Sequence, residues 1–137
     1  MGERGCVAIW EDKTNGVIRG RYVHWDGHPA GLGKELISWV ADNGLGKTVE
    51  ILIDSKDAKA GWSALYHKAN PESPEWQPYL NYQSYWRLFN DDEYLIQKVG
   101  EIQYTYVLCD KHIEVYSEDK LIGEVDYSDV DKMKKLQ

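Results

Sequence analysis

Apolar residues first gather at Cys6-Val7-Ala8-Ile9-Trp10, a short run rich in strand-forming types. The polar stretch Glu11-Asp12-Lys13-Thr14-Asn15-Gly16 follows, and Asn-Gly tolerates the positive φ of a tight turn. Apolar positions return over residues 17–25, so the pattern predicts a β-hairpin, which Asp26-Gly27-His28-Pro29 stops. Leu32, Leu36, Trp39 and Val40 fall at i, i+4, i+7 and i+8, one face of a helix over residues 31–43 with Gly44 placed as its C-cap. Residues 48–54, Thr-Val-Glu-Ile-Leu-Ile-Asp, are rich in β-branched types and predict a third strand.

The texture then changes. Pro71, Pro74 and Pro78 interrupt residues 55–78, and periodicity fades around Trp62, Tyr66 and Trp76. The pattern predicts an aromatic insertion with a short helix over 62–68, an aromatic-dense stretch over 79–89 and a short helix over 91–98. After Gly100, Ile102, Tyr104, Tyr106 and Leu108 alternate with Gln103, Thr105, Val107 and Cys109, as in a strand. Asp110-Lys111 turns, residues 112–116 return, Glu118-Asp119-Lys120 turns again, and residues 121–125 form another strand. The chain therefore reads as a single α+β domain over residues 1–137. It combines an antiparallel sheet, made of the N-terminal hairpin and the C-terminal meander, with one main helix and an irregular aromatic-rich insertion.

Size and composition fit that picture. The 137 residues match one domain, and 42% hydrophobic with 28% charged residues is a globular balance. No apolar run approaches the roughly 20 residues that span a bilayer. Nothing after Met1 reads as a secretory signal, so a cytoplasmic protein is expected, with Cys6 and Cys109 reduced. The net charge of −7 disfavours direct nucleic-acid binding and fits a partner with a basic surface. Acid is concentrated late: residues 110–131 hold eight carboxylates against Lys111 and Lys120. Aromatics are unusual too. Six Trp and ten Tyr accompany the single Phe89, and Tyr and Trp favour half-buried and interface positions.

Candidate chemistry is sparse, and no cofactor motif stands out. Residues 41–48 loosely resemble a phosphate-binding loop, with Ala41 in place of the first Gly. A helix precedes that loop and a strand is expected after it, the reverse of the order that aims amides at phosphate. His24, Asp26 and His28 share a face of an extended segment and have the types to bind metal or move protons. Gly27 and Pro29 bend that segment, so a turn capped by Asp26 is expected and no metal is assigned. Arg21, His24 and Asp26 are expected to form one polar cluster. Trp76, Tyr82 and Trp86 are expected to offer an aromatic surface. Glu118 and Asp119 head an acidic strip, with Glu114 outward and Ile113 and Val115 inward.

The run from Arg21 to Gly33, Arg-Tyr-Val-His-Trp-Asp-Gly-x-Pro-x-Gly-x-Gly, resembles one near the start of small uncharacterised bacterial and bacteriophage proteins. The likeness covers about the first forty residues and implies a phage or bacterial origin. Cys6 at a strand start, with Arg21 and Asp26 beyond the hairpin, also resembles N-terminal-nucleophile hydrolases, which would require removal of five residues. Two functions are therefore carried forward. The first is a non-enzymatic accessory protein that binds a host protein or small ligand, with counter-defence inhibition of the anti-CRISPR kind as its specific form. The second is a small hydrolase using Cys6 or His24, Asp26 and His28.

Overall fold

A computed structural model describes residues 3–23, 27–54 and 94–136. Strand β1 (Gly5–Asp12) pairs antiparallel with β2 (Val17–Val23), placing Cys6 opposite Tyr22 and Trp10 opposite Ile18. The turn between them uses Gly16 at φ 69°, and Asn15 donates from Nδ2 to Asp12 Oδ2 at 2.6 Å. The Asn15 side chain and backbone N–H hold the Asp12 carboxyl below its usual range.

Four more strands complete the sheet: β3 (Tyr94–Lys98), β4 (Tyr104–Leu108), β5 (His112–Ser117) and β6 (Lys120–Asp126). Their spatial order is β3-β2-β1-β4-β5-β6. The hairpin and the meander meet at the centre, where β1 and β4 run parallel with Cys6 beside Thr105. The architecture is thus α+β around a mostly antiparallel sheet, and the central parallel pair corrects the all-antiparallel expectation. It arises because the chain enters β4 beside the start of β1, where Tyr104 donates its N–H to Arg4 O at 3.1 Å.

One face carries a helical layer. A π-helical turn (Pro29–Gly33) leads into α1 (Lys34–Asn43), then α2 (Leu45–Thr48) and a second π-helical turn (Val49–Ile53), and α3 (Val130–Lys135) closes the chain. Leu36, Ile37, Trp39 and Val40 of α1 join Val7, Tyr106, Val115, Val125 and Met133 in the main core. Gly44, at φ 84°, ends α1 and returns its N–H to Val40 O at 2.8 Å. Asp129 caps α3 by accepting from Lys132 N at 3.1 Å.

The opposite face holds a second, smaller cluster of Cys6, Ala8, Ile18, Ile102 and Val107, flanked by Trp10, Tyr22, Val99, Cys109 and Tyr116. Residues 99–103 pass across this face to link β3 to β4. Ile102 therefore packs with Val107 rather than with Tyr106, because it precedes the strand and is not bound by its alternation.

Two expected elements differ in kind. Residues 48–53 are helical, not a strand, because Val49, Leu52 and Ile53 also satisfy i, i+3, i+4 and turn one apolar stripe onto the sheet. Thr48 Oγ1 donates to Gly44 O at 2.6 Å, within that helical run. Residues 94–98 form a strand, not a helix. Five residues are too few to sustain an isolated helix, whereas pairing with β2 satisfies their backbone groups directly. The expected insertion over 55–78, its helix over 62–68 and the aromatic stretch over 79–89 lie outside the described residues. Among the described residues, no helix is long and apolar enough to cross a membrane.

Candidate functional site

Of the expected site residues, Arg21, Glu118 and Asp119 are among the described ones. Arg21 is 2% exposed and lies under the helical layer, where its Nε donates to Leu52 O at 2.7 Å. It ties β2 to the second π-helical turn and offers no surface to a partner. His24, Asp26, Trp76, Tyr82 and Trp86 lie outside the described residues. His28 places Nδ1 3.1 Å from Glu3 Oε2.

Cys6 is fully buried, and burial pushes its thiol up from 9.0 to about 12. A thiol protonated throughout the neutral range and shielded from solvent is a poor nucleophile, so Cys6 acts as a small core side chain.

Glu118 and Asp119 occupy the exposed turn between β5 and β6, closed by the Ser117–Lys120 pair. Glu118 takes φ 53°, uncommon for a residue other than glycine, and its N–H donates to Gln103 O at 2.8 Å. A shallow cavity of about 320 Å³ opens beside this turn, lined by Arg4, Gly100, Glu101, Ile102, Gln103 and Glu118. Exposed carboxylates continue along the meander at Asp110, Glu124 and Asp126 and into the start of α3 at Asp129 and Asp131. Among the described residues β6 pairs only with β5 and forms an edge of the sheet, so Glu124 and Asp126 lie on an edge strand. Lys132 Nζ reaches back to Glu124 O at 2.8 Å. Asp126 is held below the usual carboxylate range because the Ser128 N–H and hydroxyl both donate to Oδ1, at 2.9 and 2.7 Å.

A second group of polar residues gathers on the non-helical face, where β4 turns into β5. Leu108 pairs with Ile113, and Cys109 N donates to His112 O at 2.9 Å, so Cys109 and His112 close a two-residue turn. Glu114 follows His112 by two positions and shares its face. Alternation does send Glu114 away from Ile113 and Val115, which enter the main core. It is nevertheless 6% exposed, a correction to its expected place in the exposed strip. The cause is Trp10, whose Nε1–H donates to Glu114 Oε1 at 3.0 Å while its ring meets Tyr116 edge-on at 6.0 Å.

One donor atom each from Cys109, His112 and Glu114 lies within 4.8 Å of the others, and His112 Nε2 is 3.9 Å from Glu114 Oε2. Burial raises the Cys109 thiol, and the neighbouring Glu114 carboxylate raises it further. Tyr116 is raised by the same two causes. Tyr127 donates its hydroxyl to Cys109 O at 2.6 Å and fixes the turn from β6's side. The sequence signal for this group is the spacing Cys-x₂-His-x-Glu across Asp110-Lys111, which a two-residue turn combined with strand alternation places on one side.

Comparison with family models, curated proteins and solved structures finds no match to this chain.

Proposed function

We propose that this chain is a non-enzymatic binding protein whose C-terminal meander docks on a basic surface of another protein. One observation carries the reading. Of the eight carboxylates in residues 110–131, all but Glu114 are exposed, and Glu118, Asp119, Glu124 and Asp126 lie on β6 or the turn that leads into it. A row of negative charge on an edge strand provides orientation and a fast approach to a cationic partner. Burial of Cys6 removes the most specific support for a hydrolase. The phage or bacterial origin implied by the Arg21–Gly33 run gives the reading its specific form, counter-defence inhibition, in which the acidic strip occupies the groove of a nucleic-acid-handling enzyme.

The same carboxylates would also discourage sheet-to-sheet aggregation at β6 without any partner. Affinity capture from a bacterial lysate, with wild-type chain beside Glu118→Lys/Asp119→Lys, separates the two. Docking through the strip yields basic-surfaced proteins that the charge-reversed chain fails to retain. Identical captures by both chains leave the strip as edge protection only.

A further inference from the structure

We propose that Cys109, His112 and Glu114 form a zinc site on the non-helical face of the sheet, with an open fourth position. The inference goes beyond the docking reading and does not depend on it.

The backbone builds the constellation. Cys109 and His112 stand opposite each other at the mouth of a two-residue turn, where facing Cβ atoms are about 4.5–5.5 Å apart. Glu114 lies one pleat further on the same face. Donor atoms bound to one tetrahedral zinc, at about 2.0–2.3 Å each, are separated by roughly 3.3–3.8 Å. The observed His112–Glu114 separation of 3.9 Å is close to this, and the 4.8 Å envelope of all three atoms closes with small side-chain rotations.

A second observation points to a ligand independently. His112 Nε2 is a buried atom, and among the described residues it has no hydrogen-bond partner. Buried imidazole nitrogens are ordinarily satisfied, so an orphaned one aimed at a thiol and a carboxylate has a vacant role. The surroundings resemble the outer shell of a metal site: Trp10 Nε1–H orients the Glu114 carboxylate through Oε1 and leaves Oε2 toward His112, while Tyr127 holds the Cys109 carbonyl.

The donor set selects the ion. Sulfur, imidazole nitrogen and one carboxylate oxygen suit zinc and disfavour calcium or magnesium, which take oxygen ligands. On binding, the Sγ–Zn bond forms as the Cys109 thiol gives its proton to solvent, and thiolate plus carboxylate neutralise the divalent charge. Across β6, Glu124 lies opposite Glu114 and Asp126 opposite His112. Asp126 Oδ1 is engaged by Ser128, and the fourth position is left to solvent or an exogenous group. Three protein ligands with one open position is the arrangement of zinc sites that bind an exogenous group.

Cobalt and zinc titration of the full chain, stripped beforehand with a chelator, tests this. Co²⁺ should bind as a single equivalent with a near-ultraviolet sulfur-to-cobalt charge-transfer band and tetrahedral visible bands, and Zn²⁺ should displace it. Cys109→Ser should abolish the sulfur band, Glu114→Gln should weaken zinc binding at least about tenfold, and Trp10→Phe should weaken it roughly 10- to 100-fold through the outer shell. Circular dichroism checks folding. Should Cys109→Ser fail to fold, His112→Cys decides instead, because a second thiolate at the same position should intensify the charge-transfer band. Absence of any sulfur band in the wild-type chain, an unchanged band in Cys109→Ser, or an unchanged band in His112→Cys overturns the site.

Discussion

Trp10 and Glu114 are 104 positions apart in sequence and joined by a hydrogen bond of 3.0 Å, indole N–H to carboxylate. The contact fastens the end of β1 to the middle of β5 over the non-helical face and removes from solvent a carboxylate that the strand pattern leaves outside. It couples the N-terminal hairpin to the meander. A double-mutant cycle of Trp10→Phe and Glu114→Gln should show a coupling of about 1–2 kcal/mol in urea unfolding, as for a hydrogen bond to a charged group. Additive effects would mean that the bond contributes nothing to stability.

The two arginines of β2 should behave differently. Arg21 is buried and donates to Leu52 O, so Arg21→Met should cost at least about 2 kcal/mol through lost hydrogen bonding and an unsatisfied buried carbonyl. Arg19 pairs with Glu11 and Asp54 at 2.9 and 2.8 Å in a partly exposed network. Arg19→Met should cost less than about 1 kcal/mol, because solvent screens such pairs. Chemical denaturation of both variants checks the ranking.

Alkaline pH should weaken the fold. Burial raises Cys6 from 9.0 to about 12 and holds Tyr106 well above its ordinary 10.0, so the folded chain keeps protons that the unfolded chain releases. The associated stability is fully present below pH 9 and is lost progressively as pH rises from there toward 12. Stability measured by urea unfolding should decline over that interval. The decline should be shallower in Tyr106→Phe, which at neutral pH should itself cost about 1 kcal/mol by removing the 2.6 Å bond to Gly27 O. A flat profile from pH 8 to 11 would contradict the assignment.

Gly20 lies opposite Ala8 in the β1–β2 ladder, where an added Cβ would collide with the carbonyl oxygen of Val7. Backbone cannot rotate away as a side chain can. Gly20→Ala should therefore destabilise the chain by roughly 1–3 kcal/mol, read as a lowered thermal midpoint.

What the sequence discloses tracks how local the determining forces are. The hairpin is legible because Asn15-Gly16 supplies the turn and alternation supplies the strands, and the meander is legible for the same reason at Asp110-Lys111 and Glu118-Asp119. Residues 48–53 mislead because β-branched content and helical spacing coexist in Val49-Glu50-Ile51-Leu52-Ile53, and the sheet beneath selects the helix. Strand β3 depends on an open edge of β2, which no local pattern announces. Within the site, alternation and the two-residue turn at Asp110-Lys111 disclose that Cys109, His112 and Glu114 share a face. Burial of Glu114 stays hidden because it is decided by Trp10 on a distant strand. The role of Arg21 is likewise not local, because its Nε serves the carbonyl of Leu52 in the interior.

Docking through the acidic strip is tested most directly by the salt dependence of affinity for a captured partner. With Glu118, Asp119, Glu124 and Asp126 facing a basic surface, Kd should rise by a factor on the order of ten between roughly 50 and 200 mM salt, and Glu118→Lys/Asp119→Lys should abolish binding. A Kd unmoved by salt and retained after charge reversal would contradict docking through the meander.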